Sequence, residues 1–216
     1  MRTLAEDRPV LTCDTRTGLG RITRPEVDLV VWRRSLPPAF TDWIQRVHFS
    51  LLPSFRILAR ADIFPEALGV FLDRHGMPHG EMRDFLIDDI HGLALAFSGI
   101  TGDDLVDMRL ERIHHDACWK FHRDCVALRL LTTYRGPATQ WVRHDRASEA
   151  IREQLAYSGP VETLQRHDVA VFKGNAQDKE RGVVHRSPPV SKSGETRLLL
   201  CLNTASDMSP EEWRGG

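Results

Sequence analysis

The stretch CWKFHRDCVALRLLTTYRGPAT, residues 118–139, carries two patterns at once: a histidine and an aspartate two positions apart, and a strand-like run that starts directly after them. On an extended backbone His122 and Asp124 share parity, so both side chains leave one face and can reach a single ion. An imidazole beside a carboxylate suits a divalent metal such as iron. A three-point set with open positions opposite it needs a second histidine from a distant strand. His185, in GVVHRSPPV, is the candidate.

Working outward, the run VALRLLTTY, the earlier VDMRLE and the later DVAVFKG, GVVHRS and TRLLLCLN are short segments separated by Gly, Pro, Asn and Asp. They predict strands from about residue 105 onward. Before that point the period is helical. In GEMRDFLIDDIHGLALAFSG, residues Met82, Phe85, Leu86, Ile90, Leu93 and Phe97 recur at three- and four-residue steps, which predicts one apolar face packed on a sheet. PEALGVFLDRHG predicts a helix with Pro65 near its start and Gly76 past its end. SLPPAFTDWIQRV predicts a turn into a helix capped by Thr41, and VDLVVW a short strand. The expected class is α+β. Its parts are a polar segment over 1–25 lying on the surface, a mainly helical part over 26–104 and a β-rich metal-binding core over 105–208, in one compact unit.

Composition narrows the function classes. With 29 basic against 30 acidic residues, no field of one sign points to nucleic acid or an anionic membrane. The apolar runs are too short to span a bilayer, and MRTLAEDRPV lacks a signal peptide's apolar core, so a cytoplasmic location is expected. Cys13, Cys118, Cys125 and Cys201 lack close paired spacing and read as reduced, packing thiols. No surface code specifies a substrate, a protein partner or an oligomeric state.

Arg197 opens a run that is apolar on both faces, where an unpaired guanidinium is costly. A bound dicarboxylate would meet its planar fork in a two-point contact. Asp124 or Asp168 would serve instead if the arginine were a structural ion pair.

DVAVFKGNAQDKERGVVHRSPPVSKSGETRLLLCLN, residues 168–203, resembles the second half of the double-stranded β-helix of Fe(II)/2-oxoglutarate dioxygenases. In prolyl-hydroxylase-like members a G-D-apolar-F strand leads to His, then Pro-Val, then Gly-x-Arg. Here His167–Asp168 replaces the G-D pair, and Leu199 stands where many members carry a small hydroxyl residue. CWKFHRDCVALRLLTTYRGPATQWV, with FKG and VVHRSPP, is also similar to a bacterial family of uncharacterised proteins, DUF1826, from about VVWRR to the last strand.

The dioxygenase resemblance implies a jelly-roll, cupin-like core with the helical half packed on it. It implies His122, Asp124 and His185 as iron(II) ligands and Arg197 as the anchor for 2-oxoglutarate. Tyr134, sharing parity with His122 on a regular strand, would add a hydroxyl to that carboxylate or to substrate; Arg129, on the opposite face, is the rival anchor. The activity implied is hydroxylase-type oxygenation of a small-molecule or protein substrate.

Two other readings stay open. A second H-x-D, His114 and Asp116, reads as loop. A zinc site from Cys118, His122 and His185 would make a metal-dependent hydrolase or a non-catalytic metal-binding or sensing protein.

Overall fold

The computed structural model describes residues 9–116, 118–176, 178–179, 181–191 and 193–215. In chain order the strands and helices are β1 (Val10–Cys13), β2 (Leu29–Trp32), α1 (Pro38–Arg46), β3 (Phe55–Arg60), α2 (Phe64–Arg74), α3 (Glu81–Thr101) and β4 (Leu105–Ile113). They continue with β5 (Leu128–Arg135), β6 (Gln140–Val142), α4 (Ala147–Glu153), β7 (Glu162–Thr163), β8 (Val169–Lys173), β9 (Val184–Arg186) and β10 (Arg197–Thr204). Among the described residues, no helix is long and apolar enough to cross a membrane.

The architecture is mixed α+β. A seven-stranded sheet runs β1-β2-β8-β5-β10-β4-β3, and a three-stranded sheet runs β7-β6-β9. Every pairing in both is antiparallel except β1 with β2. The period-2 rule divides the large sheet between two cores. In β10, Leu198, Leu200 and Leu202 join the core under the helices, whereas Leu199 and Cys201 join a second cluster with Trp141 of the small sheet. That double burial explains why RLLLCLN is apolar on both faces.

Helix α3 supplies much of the first core. Leu86, Ile90, Leu93 and Phe97 are fully buried along one stripe, each contributing about 1.5–3 kcal/mol. Met82 and Phe85 lie at the edge of that stripe, partly buried. The helix ends at Gly102, whose φ of 76° and N–H to Ser98 O bond close its last turn. Helix α1 begins at Pro38, a turn before Thr41, because Pro38 fits the first helical position without a cap.

The first half of the chain is less purely helical than its sequence predicts. SFRILAR contributes β3, which pairs with β4 through six residues at one edge of the large sheet, and β1 with β2 forms the other edge. The polar opening is a correction too. Residues 1–8 lie outside the described residues, but a 3-10 segment over Arg16–Thr23 buries Leu19 and Ile22 completely rather than lying on the surface. Two apolar residues in eight are too few to announce a core segment, yet they suffice once β2 and α3 flank them.

Candidate metal centre

His122 and His185 face each other across a single antiparallel bridge: His122 N–H donates to His185 O at 3.0 Å and His185 N–H to His122 O at 3.1 Å. The residues around His122 thereby extend the small sheet beyond β9. Directly opposed residues in such a pair present their side chains on one face, and the two rings lie 4.5 Å apart. Asp124, two positions on, returns its carboxylate to the same place. Its Oδ1 is 3.6 Å from His122 Nε2 and its Oδ2 is 3.3 Å from His185 Nε2. One ligand atom from each of the three residues lies within 4.8 Å of the others.

The protonation pattern fits a cation. His122 Nδ1 lies 2.8 Å from Lys120 O and His185 Nδ1 lies 3.1 Å from Val183 O. A carbonyl can only accept, so each Nδ1 carries hydrogen and a neutral ring turns the lone pair of Nε2 inward. Two imidazole lone pairs and a carboxylate then converge, and only protons or a metal relieve that crowding of acceptors. Oδ2 of Asp124 is buried with no hydrogen bond, although Arg129 Nη1 stands 2.6 Å away as an ion pair. Burial alone would raise the Asp124 pKa; the neighbouring imidazoles and the Arg129 charge outweigh it and hold the group far below the usual carboxylate range. The His122 imidazole is shifted up by its contact with Asp124, against the opposing effect of burial.

Arg197 is fully buried. Its Nε donates to Pro137 O at 2.7 Å, Nη1 to Ser187 Oγ at 2.5 Å and Nη2 to Thr139 Oγ1 at 3.4 Å. Both aspartates that were its alternative partners are engaged elsewhere, Asp124 with Arg129 and Asp168 with Arg33 at 2.5 Å. Among the described residues no carboxylate lies within ion-pair distance of Arg197, and burial pushes the guanidinium down to about 10. Thr139 and Ser187 line the same cavity as His122 and His185, with Leu131, Leu199 and Cys201 as its apolar floor. These two hydroxyl residues lie in the Gly- and Pro-containing strand ends YRGPAT and HRSPP, which the sequence marks only as turns.

Tyr134 requires a correction. It is fully buried on the helix side of β5, where its hydroxyl donates to Asp89 Oδ2 at 2.6 Å. Arg34 binds the same carboxylate through two bonds of 2.5 and 2.9 Å. Tyr134 therefore belongs to a structural network under α3. The reason is local: Cys125–Ala127 bend out of the extended path before β5 begins, and the bend resets the parity counted from His122. The same reset brings Arg129 onto the cavity face, where its Nε donates to Asn203 Oδ1 at 2.8 Å.

The remaining candidates are also placed. Asp116 accepts Val190 N–H, Ser191 N–H and the Ser191 hydroxyl, tying its loop to the one between β9 and β10. His114 packs edge-on to Phe49. Cys118 lines the cavity but lies outside the converging set, and Cys125 is exposed. The zinc arrangement drawing on Cys118 is therefore not assembled.

Gly174, of the FKG triplet, shapes the bend that carries Asp124. Gly174 N–H donates to Ala127 O at 3.1 Å and Asn175 N–H to Asp124 O at 2.8 Å. A Cβ at Gly174 would meet Val126 O at 2.2 Å and Asp124 O at 2.5 Å, both backbone atoms. Gly174→Ala is expected to cost about 1–3 kcal/mol in urea unfolding, as overpacking does. It is also expected to weaken metal binding by about tenfold or more, as displacement of supporting groups does. Wild-type metal affinity in this variant would detach the bend from the site.

No curated protein matches the chain. Among solved structures, EvdO2 from Micromonospora carbonacea var. aurantiaca is 13% identical over 94% of this chain and 97% of its own, with a TM-score of 0.44. A Pseudomonas putida prolyl-4-hydroxylase is 14% identical over 79% and 94%, TM-score 0.36. The non-heme alpha ketoglutarate dependent carbocyclase SnoK from nogalamycin biosynthesis is 11% identical over 81% and 78%, TM-score 0.35. The family described as "Protein of unknown function (DUF1826)" matches residues 13–203, a span that takes in His122, Asp124, His185 and Arg197, and the chain belongs to that family.

Proposed function

We propose that the protein is a non-haem iron(II), 2-oxoglutarate-dependent oxygenase of the hydroxylase type, with its two sheets forming a double-stranded β-helix. The observation that carries this reading is a buried guanidinium with, among the described residues, no carboxylate partner, bonded to two hydroxyls that line the same cavity as His122 and His185 of the converging His-Asp-His set. Two histidines and one carboxylate, with both histidines bordering a cavity, would suit iron that leaves room for a cosubstrate.

In this reading His122, Asp124 and His185 hold iron(II). Arg197, braced by Ser187 and Thr139, holds the far carboxylate of 2-oxoglutarate. When bound, iron and 2-oxoglutarate supply activation of dioxygen and oxidation of a substrate C–H bond. The chain fixes the ligands through the paired backbones of His122 and His185, and Leu131, Leu199 and Cys201 keep water from the reacting centre.

The test is spectroscopic. Protein prepared without oxygen is expected to develop a weak visible charge-transfer band only when both iron(II) and 2-oxoglutarate have been added. Tight zinc with no such band would overturn the reading.

A further inference from the structure

We infer that the substrate carries a small anionic group, a carboxylate or a phosphate, recognised by Arg109 and Arg129; this rests on the oxygenase reading above. The register places the two arginines. On β10, Asn203 pairs with Arg129 of β5, and Cys201 pairs with Arg109 of β4. Because Arg129 and Leu131 of β5, Arg109 of β4, and Leu199, Cys201 and Asn203 of β10 all line the cavity, Arg129 and Arg109 flank β10 on one sheet face. Arg197 starts the same strand, opposite Ile113, with Leu199 between it and Cys201. The cavity therefore has Arg109 and Arg129 at one end, Arg197 behind the lining hydroxyls of Ser187 and Thr139 at the other, and apolar side chains between them. Arg197 serves one end, and the other end has no assigned ligand.

Charge decides what the second end accepts. Among the described residues the one ion-pair partner of Arg109 is Glu111, at 3.5 Å, and both side chains are over a third exposed. Arg129 is more buried, and it pairs with Asp124 and with the neutral Asn203 Oδ1. A divalent cation and a dicarboxylate cancel each other. In and just behind the cavity wall, the three guanidiniums of Arg109, Arg129 and Arg197 stand against two carboxylates, Asp124 and Glu111, which leaves one positive charge in excess. With Asp124 shared between the metal and Arg129, the other acceptor of Arg129 is the neutral Asn203 Oδ1. A recessed site with a cationic excess concentrates anions, and a planar guanidinium meets either a carboxylate or a phosphate in paired bonds. The whole chain's near-neutral charge confines that preference to the cavity.

The experiment is calorimetric titration of the full chain, loaded with cobalt(II) chloride and saturated with 2-oxoglutarate. Sodium sulfate and sodium propionate serve as tetrahedral and planar anion probes, with ionic strength held by sodium chloride. Saturable binding of one or both is expected, and the preferred probe separates phosphate-like from carboxylate-like substrates. Arg109→Gln and Arg129→Gln should each weaken it about tenfold or more, the scale of a charge-assisted bond. Arg109→Lys should restore part of the loss. Glu111→Gln should tighten binding, a change that a merely structural role for Arg109 does not predict. No saturable binding of either anion, or unchanged binding in Arg109→Gln, overturns the inference. A charge-transfer band without anion binding removes this inference alone, whereas anion binding without the band removes the oxygenase reading instead.

Discussion

Replacing His185 with alanine is expected to lower iron(II) or cobalt(II) affinity by about a hundredfold or more while leaving the fold intact. Supporting groups around metal ligands are worth about 10–100-fold in affinity, so loss of one of three ligands lies at or above the upper end. The variant removes the Nε2 atom that stands 3.3 Å from Asp124, but the bridge to His122 is made by backbone atoms and survives. The stability cost comes from lost packing of the ring against Phe172 and His122, at centroid distances of 4.8 and 4.5 Å. That loss is on the order of 1–3 kcal/mol, within the usual range for one substitution. Equilibrium dialysis with metal analysis, beside a urea unfolding curve, separates the two effects. A folded His185→Ala protein that binds metal like wild type would show that the three residues do not act as a set.

Arg197→Met tests the other end of the cavity. The charged fork would hold one carboxylate of 2-oxoglutarate in a dry site, where truncating one partner of a hydrogen-bonded charge pair costs about 2–5 kcal/mol, or roughly thirtyfold to several thousandfold. Stability should change far less, because two effects oppose. Methionine fills much of the volume and removes a buried charge that no carboxylate balances, and such replacements are often neutral or stabilising. Against that, Pro137 O, Ser187 Oγ and Thr139 Oγ1 lose a donor, at about 1 kcal/mol for each bond. The expected result is a large loss of cosubstrate affinity, read as disappearance of the charge-transfer band at ordinary 2-oxoglutarate concentrations, with net stability within about 2 kcal/mol of wild type. Unchanged 2-oxoglutarate affinity beside a large loss of stability would make Arg197 a structural brace.

Much of the scaffold is legible in local pattern. Leu86, Ile90, Leu93 and Phe97 announce α3 because a 3.6-residue period is a property of the helix itself and needs no partner to be visible. RLLLCLN announces a strand, and His122, Asp124, His185 and Arg197 stand out as polar residues beside apolar runs that must be buried. Strand β3 escapes notice because FRILAR carries two arginines in six residues. Arg56 is tolerated there only because Asp107, on the neighbouring β4, meets it with two bonds of 2.9 and 2.5 Å.

By itself the sequence determined where α1 to α3 and the strands β2, β4, β5, β8, β9 and β10 lie, though not β1, β3 or α4, and which polar residues are expensive to bury. Tertiary structure decided the direction in which those residues point and whom they meet. Tyr134 follows His122 in parity, yet it faces α3, because three bent residues reset the register and backbone bonds from Gly174 and Asn175, far along the chain, hold that bend. Among the described residues Arg197 meets no carboxylate, while Asp124 and Asp168 meet Arg129 and Arg33. A side chain's face depends on the register of its strand, and a charge's partner depends on which strands become neighbours. Both are fixed by long-range hydrogen bonds and packing, which local periodicity does not encode.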